Sequence, residues 1–292
     1  MFDLFADDPR ATPIMAEASA LLGQDVRTLL ETADDATLFA NRTSQILCVT
    51  RGLVAAACLA PTMPLTVAGY SVGEMTAWGV AGIWSSEKTL RLTASRAEAM
   101  DAAAGPDDGL GFVRGLARDH VETLVVRFDC AIAIINPGQL FIIGGGREKV
   151  ERCCALAVEE GAIAARMIAV HVASHTPRLS DAVGVFRAEL ETSEPARPVR
   201  GRTLISASDA SIVRGSRDLR GLAAQIDTMI DWSATLEAVM ERGADRVLEL
   251  GPGTALADMA RTAYPRLAVR SFDDFRSLQG VVTWIADTTP DT

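Results

Sequence analysis

The run Leu65-Thr66-Val67-Ala68-Gly69-Tyr70-Ser71-Val72-Gly73 limits what this 292-residue chain can fold into more than any other stretch. Leu65 to Gly69 is a short apolar segment of the kind a buried parallel strand shows, entered past the breakers Pro61 and Pro64. A helical stretch follows from about Val72 to Gly82. Another runs from Ser86 to Ala103, for which Ser85 or Ser86 offers a cap. Strand, tight turn and helix in succession are an α/β signature. The turn itself reads G-x-S-x-G, which in this setting lifts a serine hydroxyl above the sheet edge and aims the first N–H groups of a helix at it. Ser71 is therefore a candidate nucleophile, and the Val72 backbone N–H the natural oxyanion donor. Outside a strand-to-helix junction the same five residues would be an ordinary glycine-rich turn.

Order along the rest of the chain divides it. Thr12 to Leu22 and Thr43 to Leu59 read as helices, and Gly105-Pro106-Asp107-Asp108-Gly109 is a breaker cluster. Beyond it come a strand (Leu110 to Leu116), a helix (Arg118 to Phe128) and two strands (Ala131 to Ile135, Gln139 to Ile143) around the turn Asn136-Pro137-Gly138. A helix (Glu148 to Glu160) and a strand (Ala165 to Val172) complete a βαββαβ order, the ferredoxin-like sequence of elements. After His175 the α/β pattern resumes, with helices at 179–190, 219–228, 232–242, 255–263 and 275–286 and strands at 203–207, 246–250 and 267–272. The expected fold is α/β. A large α/β-hydrolase-like domain with a parallel sheet (1–108 and 174–292) carries an inserted small ferredoxin-like domain (109–173).

A net charge of −10 argues against nucleic acid, which needs a basic face. Lys88 and Lys149 are the only lysines, so arginine at any one place is weak evidence by itself. The five cysteines (Cys48, Cys58, Cys130, Cys153, Cys154) have no metal-ligand spacing and read as reduced thiols, so no metal is expected. No apolar run reaches the ~18 residues of a membrane span, and MFDLFADDPR is too acidic for a signal peptide. The expectation is a cytoplasmic protein with no membrane partner.

A serine nucleophile needs a base, and there are three histidines to supply it. His120 lies in a charged helical stretch and reads as a solvated surface residue; His171 falls inside an apolar strand and reads as packing. His175 follows that strand in Ala173-Ser174-His175-Thr176, at the re-entry into the large domain, and is the candidate base by elimination. Its second nitrogen requires an acceptor, for which Asp231 is one candidate among many acids.

Gly69-Tyr70-Ser71-Val72-Gly73-Glu74 resembles the GHSxGE elbow of malonyl-CoA:acyl carrier protein transacylases and polyketide acyltransferase domains. The resemblance runs from about Ala16 to Ala286. Its landmarks, in order, are the Gln45 region, Arg96, Asn136-Pro137-Gly138-Gln139, Ser174-His175, Trp232 and Leu250-Gly251-Pro252-Gly253. It implies Ser71 as the acylated residue, His175 as the base, Arg96 as the bidentate partner of the malonyl carboxylate, and Gln45 and Asn136 as substrate-binding. Arg91 points about 140° away from Arg96 around the same helix, so the two cannot share a pocket. The position before Trp232, here Asp231, would hold the histidine by its carboxylate or its carbonyl. No bound cofactor is implied; a coenzyme A thioester is the substrate, with malonyl-CoA and an acyl carrier protein as partners.

Two departures stand out. The first is in the elbow, with Tyr70 where a histidine is usual and Val72 where leucine is common, and the second is at the start of the chain. Ser271-Phe272-Asp273-Asp274-Phe275 is similar to the ending of the malonate decarboxylase transacylase (epsilon) subunit. That subgroup would add the other malonate decarboxylase subunits as partners. The family also opens with a strand and a Gly-Gln-Gly loop that helps form the oxyanion hole, and Met1 falls after that point. The expectation is that the start of the chain was placed too late or that the sequence is a fragment. Loss of one oxyanion donor costs ~10²–10³ in rate, and a lost strand opens a sheet edge. Three rival readings follow. An α/β-hydrolase is disfavoured because its histidine comes late in the chain. The others are a malonyl thioesterase on the same scaffold and a non-catalytic assembly subunit.

Overall fold

In the computed structural model, which describes residues 1–287, helix α1 (Thr12–Leu22) has a proline in its first turn and ends on Gly23 in the left-handed conformation. Short helices α2 (Val26–Thr32) and α3 (Asp35–Leu38) are capped by Asp25 and Asp34, whose carboxylates accept backbone N–H bonds. The sequence reading missed both, because seven and four residues are too few to display a helical period. Helix α4 (Asn41–Leu59) is buried along most of its length, from Gln45 to Cys58.

Strand β1 (Leu65–Ala68) then feeds the elbow and α5 (Gly73–Val80). Helix α6 (Ser86–Ala103) follows, its cap settled on Ser85, which accepts from the Lys88 N–H. Helices α1, α4, α5 and α6 pack around one core that holds Ile46, Leu53, Met75, Trp78, Leu90 and Met100. Trp78 and Trp84 stack within it at 4.8 Å.

Strand β2 (Asp108–Arg114), α7 (Arg118–Arg127), β3 (Ala131–Asn136), β4 (Leu140–Gly146), α8 (Arg147–Glu159) and β5 (Ala164–Met167) come next. They form a sheet in the order β5-β2-β4-β3, antiparallel at each of these pairings. A second apolar cluster, with Val113, Val121, Ile143, Val150 and Cys153, lies beneath α7 and α8. The five cysteines are free.

Helix α9 (Ser180–Glu191) returns the chain to the first core. Strand β6 (Arg202–Ile205) then pairs with β1 in parallel, Leu65 opposite Arg202. Past α10 (Leu219–Ala224), the two-residue strand β7 (Ile230–Asp231) pairs in parallel with β3. It extends the antiparallel sheet with a piece of chain from outside it. So short a strand has no alternation for sequence reading to detect. Helix α11 (Trp232–Met240), the parallel pair β8 (Arg246–Glu249) and β9 (Ala268–Ser271) around α12 (Ala255–Ala263), and α13 (Leu278–Ala286) complete the chain. The α/β class is as expected. Among the described residues no helix is long and apolar enough to cross a membrane.

One interaction joins the two ends of the sequence. The buried Arg51 guanidinium lies between the rings of Phe5 and Phe272, 4.7 and 4.9 Å from their centroids, and donates to Asp273 at 2.9 Å. The other Asp273 oxygen accepts from the Gly253 N–H at 2.7 Å. Aromatic faces on both sides make a buried cation tolerable where one carboxylate alone would leave it poorly solvated.

The structure corrects the strand expected at Ala165 to Val172. Strand β5 ends at Met167, and tight bonds from Val170 N–H to Ile168 O and from Ser174 N–H to Val172 O turn the chain out of the ladder. His171 is consequently exposed, its Nδ1 at 2.8 Å from Arg147 Nη2, rather than packed in an apolar strand. His120 is a half-buried surface residue paired with Glu160.

Candidate active site

The elbow follows from steric necessity at Gly69. A Cβ there would fall 2.2 Å from the Gly73 carbonyl and the Glu74 nitrogen, so no side chain fits. Gly73 is different: a Cβ built on it meets nothing within 4 Å. Between them Ser71 adopts φ 52°, in the left-handed region, at a cost of about 1–3 kcal/mol that the flanking strand and helix must hold in place. The Gly73 and Glu74 N–H groups bond back to Tyr70 and Ser71 carbonyls, whereas the Val72 N–H has no partner among the described residues. That N–H stands at the mouth of α5 beside the serine.

His175 meets Ser71. Its Nε2 lies 2.7 Å from Ser71 Oγ, across 104 positions of sequence. It too has a positive φ, 61°, and its backbone N–H donates to Ile226 O at 2.7 Å. The ring's Nδ1 lies 2.5 Å from the Gln225 backbone carbonyl. A carbonyl can only accept, so Nδ1 carries the proton and Nε2 presents its lone pair to the serine hydroxyl.

This overturns the placing of Asp231 beside the histidine. The Asp231 carboxylate caps α11 by accepting from the Ala234 N–H at 2.9 Å, and its carbonyl accepts from the Thr235 hydroxyl at 3.0 Å. Both groups are committed to the start of a helix. A backbone carbonyl leaves no residue-type signal, which is why Gln225 escaped sequence reading.

The imidazole is 1% exposed, and its pKa is pushed down to about 3, first by burial and then by the positive charge of Arg96; the Gln225 carbonyl opposes both. The imidazole is therefore neutral well below its ordinary titration range. Modification of Ser71 by a fluorophosphonate should slow less than about twofold between pH 8 and pH 6, whereas an imidazole of pKa about 6.5 would lose roughly three quarters of its free base. A half-rate point near 6.5 would show that the ring is not sequestered as described. For stability the sign is separate. The lowered histidine value contributes above about pH 6.5 and is lost as pH falls towards 3. Burial raises the Glu74 carboxyl to about 7, and that contribution is present below about 4.5 and lost as pH rises through 7. The two oppose each other between 4.5 and 6.5.

Arg96 is 1% exposed on α6, with Nη1 donating to Gln45 Oε1 at 2.5 Å. Gln45 is itself steered, since its amide nitrogen donates to Asn41 Oδ1 at 2.7 Å. Arg96 Nε and Nη2 are buried without a partner. Together they form one edge of the guanidinium, two parallel donors matched to a carboxylate. Desolvation lowers its pKa to about 10, and Glu74 offsets this in part. Arg91 faces outward and pairs with Glu17 and Glu87.

Asn136, at the end of β3, is buried with neither side-chain atom in hydrogen-bond geometry, although the Tyr70 hydroxyl faces it. Tyr70 packs edge-on against Trp232 at 5.4 Å, and the Trp232 Nε1 is also buried and unpartnered. Sequence reading named Glu74 only as part of the elbow motif. In the structure it is fully buried behind Ser71 and accepts from the Gln225 amide, the Ala207 N–H and Trp78 Nε1.

These features define an α/β protein whose serine sits on a strand-to-helix elbow against a buried neutral histidine. The chain belongs to the acyl transferase domain family, which matches residues 14–289. Its relatives include the polyketide biosynthesis protein ThaF of Burkholderia thailandensis, 30% identical over 230 residues; these are 78% of this chain but 20% of ThaF. The malonyl CoA-acyl carrier protein transacylase of Salmonella typhimurium is 26% identical over 96% of this chain and 93% of its own length. Among solved structures, an acyl-carrier-protein S-malonyltransferase from Burkholderia pseudomallei superposes with a TM-score of 0.89 at 25% identity, covering 97% of this chain and 94% of that one.

Proposed function

We propose that this protein is a malonyl-CoA:acyl carrier protein S-malonyltransferase working through an ester on Ser71. The observation that carries the reading is the 2.7 Å contact between Ser71 Oγ and His175 Nε2, together with a buried Arg96 that keeps two donors unpartnered and whose charge helps lower the proton affinity of that histidine. The full-length likeness to the Salmonella transacylase supports the substrate pair.

His175 Nε2 takes the Ser71 proton as Oγ attacks the thioester carbonyl, and the Val72 N–H faces the oxyanion that forms. Collapse breaks the C–S bond, and the departing coenzyme A sulfur takes the proton from the imidazolium. A carrier thiol then gives its proton to Nε2, attacks the ester and restores the serine. Arg96 holds the malonyl carboxylate throughout, oriented by Gln45, and Asn136 and Trp232 supply polar atoms for the rest of the acyl-thioester. No bound cofactor takes part in this scheme.

We read residues 109–173 as an inserted ferredoxin-like domain, on the support of the β5-β2-β4-β3 order. The finer placement, the transacylase subunit of a malonate decarboxylase, rests on the Ser271-to-Phe275 ending. Incubation with radioactive malonyl-CoA and two carriers tests both levels. One carrier bears phosphopantetheine and the other phosphoribosyl-dephospho-CoA. Label on either carrier is expected, with preference for the second. Free malonate with neither carrier labelled would make the protein a thioesterase instead.

A further inference from the structure

Glu74 is a fully buried carboxylate to which the transfer chemistry assigns no step. It lies three residues beyond Ser71, in the first turn of α5. Its Oε2 accepts from two groups of distant chain: the Ala207 N–H at 2.9 Å, just past β6, and the Gln225 side-chain amide at 2.6 Å, just past α10. Its Oε1 accepts from Trp78 Nε1 at 3.3 Å, on its own helix. Gln225 is the residue whose backbone carbonyl receives the His175 Nδ1–H, and the next residue, Ile226, receives the His175 backbone N–H. The segment that grips the histidine is thus tied by one side chain to the helix that follows the serine.

The arrangement carries a cost. Gln225 leaves its own Oε1 buried and unpartnered while its amide nitrogen serves Glu74. A carboxylate with no exposed surface is held there against the desolvation that raises its proton affinity. An apolar pair would avoid both penalties but would leave the Ala207 N–H and Trp78 Nε1 without an acceptor.

We infer that Glu74 is a positioning residue: through Gln225 it holds the carbonyl that orients His175, so that nucleophile and base are set by one connected unit. This rests on the reading of Ser71 and His175 as nucleophile and base. It acts on the geometry of the base and touches no substrate.

The test is the rate constant for modification of Ser71 by a fluorophosphonate, which needs the serine and its base but neither malonyl-CoA nor a carrier. If wild-type protein is not modified at Ser71, the functional reading itself fails. If it is, Gln225→Ala, which removes the tie and keeps the backbone carbonyl, should slow modification about tenfold or more, with the modified fraction at completion unchanged. Glu74→Ala should slow it similarly. The pair together should be no slower than the slower single variant, because both break the same link. Glu74→Gln keeps an oxygen for the Gln225 amide and should recover most of the rate lost in Glu74→Ala. A purely structural role would lower the melting temperature and the modified fraction but leave the rate constant of the folded protein alone. A wild-type rate constant in Gln225→Ala, or losses that multiply in the double variant, would overturn the inference. Should Glu74→Ala fail to fold, Gln225→Ala and Glu74→Gln decide it.

Discussion

Replacing Ser71 by alanine should eliminate covalent capture of radioactive malonyl-CoA and lower turnover by a factor on the order of 10⁶, the scale seen when a serine enzyme loses its nucleophile. The substitution removes one oxygen. Alanine keeps the Cβ, so the left-handed backbone at this position is no more strained than before. The single side-chain bond lost is the one to His175, worth about 0.5–1.5 kcal/mol. Melting temperature should therefore change little while labelling vanishes. That combination separates chemistry from unfolding. Labelled protein in the alanine variant, mapped by peptide mass to another residue, would end the Ser71 ester scheme.

Arg96→Ala is expected to have the second-largest effect, and a selective one. The arginine meets Gln45 through Nη1 and keeps Nε and Nη2 unpaired inside the protein. A carboxylate arriving there gains two charge-assisted hydrogen bonds in a desolvated site. Removing one partner of a buried pair costs about 3–5 kcal/mol, or roughly 10²–10⁴ in kcat/KM for malonyl-CoA. Acetyl-CoA carries no carboxylate and should lose far less. Loss of the positive charge also relieves a cause of the depressed histidine pKa, which favours the base rather than impairing it. Parallel losses for malonyl-CoA and acetyl-CoA would show that Arg96 supports the fold of the pocket and not the acyl carboxylate.

Much of the fold was legible because its long elements announce themselves. Helices α1 and α6 match the expected spans at both ends, Thr12 to Leu22 and Ser86 to Ala103. The order of elements between Asp108 and Met167 was readable from alternating apolar runs and the Asn136-Pro137-Gly138 turn. What failed was short or depended on partners. Strand β7 has two residues, and the expected strand from Ala165 to Val172 overruns β5 because Val170 and Val172 are apolar without being paired.

At the site, the residues themselves point to Ser71 and His175, the family resemblance adds Arg96 and Gln45, and neither names the backbone partner. The fold brings Ser71 to His175 and Gln45 to Arg96. Asp231 is the sequence candidate to hold the histidine, by its carboxylate or its carbonyl, because it precedes a landmark tryptophan. The acceptor is the peptide carbonyl of Gln225 instead, a group that every residue possesses. Glu74 stood in the motif in plain view, yet its role depends on where residues 207 and 225 come to lie.

By itself the sequence determined the α/β order, the elbow and the chemical types available at the site, since propensity, turn geometry and side-chain chemistry are local properties. Only the tertiary structure decided which carbonyl faces His175, which edge of Arg96 stays free and which histidine is buried. Those depend on distance and solvent exclusion between segments up to 151 residues apart, and local pattern contains neither.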